Sequence, residues 1–316
     1  MANHKTFFKT SLLITVFNEA DTISDLIRAL KAQTLPPTEV IITDGGSKDG
    51  TFEKLGQLAK DWPVLRPFQV PGNRSVGRNF AVSKSRFPLL VFTDAGCIPE
   101  KTWLAEIVAP FNDSQTQVVS GYYRGLPENI FQKCLIPYVL VMPDRVDPGY
   151  FLPSTRSMAM RKSFWNKTGG FDPKLNHNED YAFAVWMARM GVKFVFAPRA
   201  LVGWMPRKNL KQSAWMFMRF AIGDIQAGIL RPKVKFLILR YLAFAYFFFL
   251  AQRIHVLYYP LALLVLLYLL WAVIKNYRYV RNILAVIFLP LIQITADISV
   301  IFGTLMGYLA KANGLF

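Results

Sequence analysis

From residue 236 onward the sequence turns apolar and stays so, with short polar breaks, to residue 310. Residues 256–274 hold no charged side chain and have the length, about 20 residues, that a helix needs to cross the hydrocarbon core of a bilayer. Residues 283–310 form a longer run, interrupted by Pro290 and carrying one acid, Asp297. Residues 241–251 are short alone but reach spanning length if the helix starts at Phe236. None of these runs alternates apolar and polar side chains as a helix half-buried in a soluble protein would. The expectation is a membrane region over residues 231–316 with helices over 236–251, 256–274 and 283–310, behind a soluble domain over residues 1–230. An acid inside a span is costly unless it is paired or functional, which marks Asp297.

Charge follows the same division. The formal net charge is +17, and between residues 199 and 240 nine basic side chains (Arg199, Arg207, Lys208, Lys211, Arg219, Arg231, Lys233, Lys235, Arg240) face a single acid, Asp224. Such a run ahead of an apolar segment is drawn to anionic lipid at about 1 kcal/mol per residue, so membrane lipids account for it. No basic-aromatic pattern of a nucleic-acid reader accompanies it, and no nucleic-acid partner is expected. Lys275, Arg278 and Arg281 separate the second and third apolar segments. By the positive-inside rule both basic stretches face the cytoplasm, which three spans satisfy with a tight outer turn at 252–255. Arg253 in that turn counts against this, and the alternative is a first segment lying in the interface. Met1-Ala2-Asn3-His4-Lys5 opens without a long apolar core, so no signal peptide is expected. The soluble domain is then cytoplasmic, on a multi-pass protein of the cell membrane. Cys97 and Cys134 are far apart and, in a reducing compartment, are expected as free thiols. Nothing in the sequence fixes the oligomeric state.

The soluble part alternates strands and helices. Residues 11–17 read as a strand that turns at Asn18-Glu19-Ala20 into a helix over 21–33. A second strand, 39–43, ends at Asp44-Gly45-Gly46-Ser47-Lys48-Asp49-Gly50-Thr51. Strand, helix and strand with glycines at the second strand's end imply a parallel sheet with a ligand crevice at its carboxyl edge. Asp44 there can accept hydrogen bonds from a base or ribose, although Asp-Gly-Gly alone is equally a plain turn. Arg74-Ser75-Val76-Gly77-Arg78-Asn79 opens the next helix; two arginines at a helix start suit a diphosphate, or form a solvated basic turn. The apolar strand 89–93 ends in Asp94-Ala95-Gly96, and a carboxylate at a buried strand's end can hold a divalent cation. Gly169-Gly170-Phe171-Asp172 and Asn178-Glu179-Asp180 come later, the latter opening a helix to Met190, where an acid is also an ordinary first-turn residue.

The order of these blocks resembles family 2 glycosyltransferases with the GT-A fold. Thr15-Val16-Phe17-Asn18-Glu19-Ala20 resembles the opening strand and turn, Asp44 to Thr51 the nucleotide-binding turn, and Arg78-Asn79 the pair after it. Asp94-Ala95-Gly96 resembles the Asp-X-Asp metal motif, and Gly169 to Asp172 with Glu179-Asp180 the acceptor segment and catalytic base. Arg219-Phe220-Ala221-Ile222-Gly223-Asp224 resembles an Arg-X-X-X-Gly-Asp block ahead of membrane helices, where Arg219 would be an anion ligand; the alternative is an amphipathic helix on the membrane surface. The likeness covers roughly residues 11–230. Two positions depart from it: Gly96 replaces the second metal-motif Asp, and Trp204 replaces a downstream His.

The resemblance implies an α/β fold: a GT-A type, Rossmann-like, mostly parallel sheet flanked by helices and followed by C-terminal membrane helices. It implies a membrane-bound, inverting transfer of a sugar from a nucleotide diphosphate sugar to an acceptor hydroxyl on a lipid-linked or growing glycan. Asp180 would be the catalytic base. The nucleotide sugar would meet Phe17, Glu19, Asp44, Gly46, Arg74, Arg78, Asn79, Asp94, Glu179 and Arg219. Mg2+ or Mn2+ would rest on Asp94, diphosphate oxygens and water, with His177 a further candidate neighbour. Two rivals stay open. One is transfer to a polyprenyl phosphate, which needs no base; the other is a non-catalytic membrane subunit that binds nucleotide sugar.

Overall fold

The computed structural model describes residues 8–314. The opening residues read above as free of a signal peptide, Met1 to Phe7, lie outside them. In chain order come β1 (Thr10–Val16), α1 (Ile23–Lys31), β2 (Glu39–Asp44), α2 (Thr51–Lys60), β3 (Leu65–Gln69), α3 (Arg74–Lys84), β4 (Leu89–Phe92), β5 (Cys97–Pro99), α4 (Trp103–Val108) and β6 (Val118–Gly125). There follow α5 (Ile130–Val139), β7 (Met158–Arg161), the one-turn α6 (Lys162–Trp165), α7 (Glu179–Arg189), β8 (Phe194–Trp204) and α8 (Leu210–Gln226). Three long helices close the chain: α9 (Pro232–Ala251), α10 (Tyr258–Val280) and α11 (Ala285–Ala312).

The chain forms two compact units. The first comprises the described residues up to Arg124 together with Pro143–Met205; the second comprises Gly125–Met142 and the described residues from Pro206. This division does not follow the expected boundary at residue 230, because α5 and α8 pack against the long apolar helices.

The first unit is built on an eight-stranded sheet in the order β3-β2-β1-β4-β7-β6-β8-β5. β3, β2, β1 and β4 run parallel, the Rossmann-like half expected from the sequence. Strands buried on both faces need continuous apolar runs, which Leu12-Leu13-Ile14, Val40-Ile41-Ile42 and Leu89-Leu90-Val91-Phe92 supply. The other half is antiparallel: β4 with β7, β7 with β6, and β5 with β8. The sheet is thus mixed, with helices on its faces. In α1, Ile23, Leu26, Ile27 and Leu30 are buried at the spacing of one helical face. Phe92, Trp165, Phe171 and Phe183 form an aromatic core with ring centroids 4.8–6.0 Å apart, and α7 rests on it.

In the second unit three helices are long and apolar enough to cross a membrane, by length and composition: Pro232–Ala251, His255–Val280 and Ala285–Ala312. The first segment is therefore a full 20-residue helix, beginning four residues earlier than expected. α8 lies along α11, where Gly303 and Gly307 present no side chains. A Cβ at Gly303 would stand 2.4 Å from the Met218 carbonyl oxygen, and one at Gly307 2.9 Å from Ile225 Cβ. Two glycines four apart in an apolar helix permit this approach, a pairing the sequence reading overlooked. Asp297 is nearly fully buried and is paired. It accepts hydrogen bonds from Arg240 of α9, Tyr241 of α9 and Tyr268 of α10, and from Gln293 one turn earlier on α11.

Candidate active site

The carboxyl ends of β1 and β2 carry two loops laced to each other. Asn18 N–H donates to Ser47 Oγ (2.8 Å), Glu19 N–H to Thr51 Oγ1 (2.9 Å) and Ala20 N–H to Asp49 Oδ2 (3.1 Å). Asn18 holds a left-handed backbone (φ 54°), which asparagine tolerates better than most residues. The Glu19 carboxylate accepts from the Thr22 hydroxyl. Asp44 is fully buried. Its Oδ1 accepts from the N–H groups of Gly46 and Ser47 (2.7 Å each), which shape the turn. Its Oδ2 is buried without a partner among the described residues. A buried carboxylate oxygen is costly unless a donor reaches it, so this atom asks for one from a ligand. Phe17 stands 60 % exposed beside the same turn, where a Cβ at Gly45 would lie 3.6 Å from its ring.

α3 begins beyond the third strand, capped by the Asn73 side chain on Val76 N–H (3.1 Å). Gly77 lets the helix press onto the sheet: a Cβ there would lie 2.9 Å from Thr43 Oγ1. That approach buries Arg78. Its Nη1 pairs with Glu179, and its Nη2 with Asp94 Oδ1 (2.9 Å) and Thr155 Oγ1 (2.9 Å). Both Nη atoms of Arg78 thus serve protein oxygens, and its expected contact with the donor stays a proposal. Asn79 is likewise engaged inside the protein, donating to Phe171 O (2.7 Å) and accepting from Phe171 N–H (3.0 Å). Arg74, at the first position of α3, is exposed and remains available to an anion. Arg219 belongs to α8 in the second unit, where its guanidinium lies 5.8 Å from the Trp215 ring.

Asp180 opens α7 with Glu179, after Asn178 in a second left-handed turn (φ 56°). Its Oδ2 accepts from Ser154 Oγ (2.9 Å), Thr155 N–H (3.3 Å) and Thr155 Oγ1 (3.4 Å), and its Oδ1 from Tyr181 N–H (2.9 Å). Burial pushes its carboxyl up, but the charges of Arg78 and Arg156 and the Ser154 and Tyr181 donors outweigh this and hold it below the ordinary carboxylate value. The Cys97 thiol, beside Asp94, is driven well above its ordinary range, first by burial and then by that carboxylate, so it is no nucleophile.

Ser154, Thr155 and Arg156 were not anticipated. They lie on an irregular strap ahead of β7, and the only sequence signal was a polar run, Ser154-Thr155-Arg156-Ser157, entering a buried strand. Trp204, standing where a histidine was sought, packs its ring 5.8 Å from the Arg156 guanidinium. For a metal, Asp94 offers its Oδ2 from a side chain 32 % exposed. Among the described residues no three His, Cys, Asp or Glu side chains are grouped to hold a metal. A cation there would need ligand oxygens and water to complete its shell.

The profile of the family described as "Glycosyl transferase family 2" matches residues 11–168. Glycosyltransferase AglE of Haloferax volcanii is 31% identical over 116 residues, which are 35% of this chain and 38% of that protein. O-antigen chain rhamnosyltransferase RfbN of Salmonella typhimurium is 24% identical over 212 residues, 61% of this chain and 65% of RfbN. The chain thus spans less than two thirds of either relative's length. Among solved structures, mannosyltransferase PcManGT from Pyrobaculum calidifontis, in complex with GDP-Man and Mn2+, superposes with a TM-score of 0.55 at 21% identity, over 70% of this chain and 63% of that one. This likeness is one of fold.

Proposed function

The chain belongs to glycosyl transferase family 2, and from that premise we propose that it moves a sugar from a nucleotide diphosphate sugar to an acceptor hydroxyl, inverting the anomeric centre. The observation that carries the proposal is the buried Arg78. By bonding Asp94, Glu179 and Thr155 at once, it gathers the end of β4, the start of α7 and the strap into one cluster of carboxylates. In this reading the nucleoside seats over the first two loops, its base or ribose donating to Asp44 Oδ2 with Phe17 alongside. Gly46 and Glu19 shape that seat. Arg74 meets the diphosphate at the start of α3. Asp94, with diphosphate oxygens and water, suits Mg2+ or Mn2+, which keep water ligands readily in the case of magnesium. A bound divalent cation would neutralise charge gathering on the leaving diphosphate. Asp180 takes the proton of the acceptor hydroxyl as that oxygen attacks the anomeric carbon, and one displacement inverts the configuration.

The acceptor we favour is a lipid-linked or growing glycan, presented at the cell membrane to a cytoplasmic catalytic unit. Support comes from the three apolar helices, the basic run before them, and the O-antigen chain function in the name of RfbN. One observation favours a second acceptor: a carboxylate held below its ordinary value is a weak base, and a polyprenyl phosphate oxygen needs none.

The test is nucleotide release by the detergent-purified protein over a panel of nucleotide sugars, with and without membrane lipid extract. Asp180→Asn is expected to leave donor affinity unchanged while transfer falls by about 10²- to 10⁴-fold. Near-normal transfer by this variant would mark the phosphate acceptor instead. A wild type that binds donor but never releases nucleotide would mark the non-catalytic subunit.

A further inference from the structure

Arg156 feels the charges of Asp180 and Asp94 but makes no direct ion pair among the described residues. Its guanidinium lies 5.7 Å from the Tyr123 ring centre and 5.8 Å from that of Trp204, so two aromatic faces hold it. Its one hydrogen bond to a side chain is a long one, from Nη1 to Ser154 Oγ at 3.4 Å. The carboxylates nearby are already engaged: Glu179 and Asp94 by Arg78, and Asp180 by Ser154, Thr155 and Tyr181. No carboxylate comes within ion-pair distance of Arg156 among the described residues. A partly buried guanidinium with unspent N–H donors can take the oxygens of an incoming anion, because the carboxylates that act on it from a distance are hydrogen-bonded elsewhere.

Two contacts tie Arg156 to one turn of the candidate site. The Arg156 carbonyl accepts from Thr93 Oγ1 (2.9 Å), immediately before Asp94. Trp204, its stacking partner, pairs in register with Cys97, immediately after Gly96. Arg156 is therefore tied to both ends of the Asp94-Ala95-Gly96 turn. Above Gly96 the space is open, and a Cβ built there meets nothing within 4 Å. Where a second carboxylate would have added negative charge to the turn, the chain has an absent side chain and a fixed cation beside it.

We propose that Arg156 binds the diphosphate of the donor at this turn, as a permanent positive charge alongside whatever cation Asp94 holds. The assignment rests on the glycosyltransfer reading above. Two N–H donors of one guanidinium match two oxygens of a phosphate group. As the bond to the sugar breaks and charge collects on the diphosphate, Arg156 is already in place and needs no reorganisation.

Calorimetry on the full-length protein in detergent tests this with UDP, GDP and dTDP against UMP, GMP and dTMP, each with and without Mg2+. For the base that the wild type binds, Arg156→Gln is expected to weaken the diphosphate about tenfold or more. It should leave the monophosphate within about twofold, because the α-phosphate and nucleoside seats are untouched. Retained monophosphate binding also certifies the variant's fold. Arg156→Lys keeps the cation between the rings without its fork, and its diphosphate affinity is expected between the other two. An unchanged diphosphate affinity in both variants, or equal losses of mono- and diphosphate, would overturn the assignment and leave Arg156 a positioning residue for Ser154. A wild type that binds none of these nucleotides would overturn the glycosyltransfer reading, and this assignment with it.

Discussion

Asp180 sits among donors that all favour its charged form, and this fixes the sign of its pH behaviour. A base must be deprotonated to act, so activity is present above its pKa and is lost as pH falls through it. Because Arg78, Arg156, Ser154 and Tyr181 together hold that pKa below the ordinary carboxylate value, the acid limb of kcat/KM is expected below the usual carboxylate range. Ser154→Ala removes one donor to Oδ2 and should move that limb to higher pH, a shift that a pH–rate profile of the two proteins would record. An unmoved limb would mean that another group governs it. Asp94→Ala should abolish turnover and, with it, any stimulation by Mg2+ or Mn2+; full wild-type activity in excess chelator would remove the metal from the scheme. Much of the candidate site was legible in the sequence as positions, because Asp44, Asp94 and Asp180 each stand at a strand end or helix start, where local pattern announces them. The division of labour was not. Nothing local says that Arg78 turns inward to bind two carboxylates, since the cause is Gly77 packing on Thr43, a tertiary contact. Arg156 was missed because its strap has neither periodicity nor motif.

Among the elements, α9 depends most on a single polar contact. It buries only Ala251 among its own residues, yet Arg240 and Tyr241 reach the buried Asp297 of α11. Taking Asp297 away leaves Arg240 uncompensated, whereas taking Arg240 away leaves Asp297 with Tyr241, Tyr268 and Gln293 as donors. Asp297→Ala is therefore expected to cost about 3 kcal/mol, more than Arg240→Ala, with the Arg240→Leu/Asp297→Leu pair recovering most of the loss. Thermal midpoints in detergent give the comparison, and equal losses for the two single variants would show that packing, not charge, binds α9. The parallel half of the sheet could be read from apolar runs such as 40–42 and 89–92, because burial on both faces writes itself into consecutive residues. Two strands of the antiparallel half could not: β5 is three residues long and β7 four, too short for any period to declare itself. α8 was read as a block ahead of the membrane region, and its packing along α11 followed only from the glycine pair at 303 and 307.

At the scale of the whole molecule, the same cluster bears on whether the first apolar segment crosses the membrane. Arg240 stands eight residues into α9 and eleven from its end, about 12 Å and about 16 Å along the axis. Tyr268 stands ten residues into α10, about 15 Å, and Asp297 twelve into α11, about 18 Å. Hydrogen bonds place these three side chains at one level, which is near the middle of each helix. If α10 and α11 cross a bilayer, that level is its centre. A helix lying flat in the interface cannot deliver its mid-point there, so α9 should cross as well. An arginine at that depth is tolerable because Asp297 and two tyrosines meet it. Three crossings, with the basic runs before α9 and between α10 and α11 held inside, would put the 252–255 turn outside. Reporter fusions after Ala251 and after Phe316 are accordingly expected to report outside, and one near Tyr277 to report cytoplasm. Arg253 in the outer turn opposes this order at the small cost of one charge against the four or more basic residues on the other side. A cytoplasmic signal after Ala251 would place α9 in the interface. It would then require Arg240 and Asp297 to part in the membrane, an outcome that Asp297→Ala, losing no stability, would confirm independently.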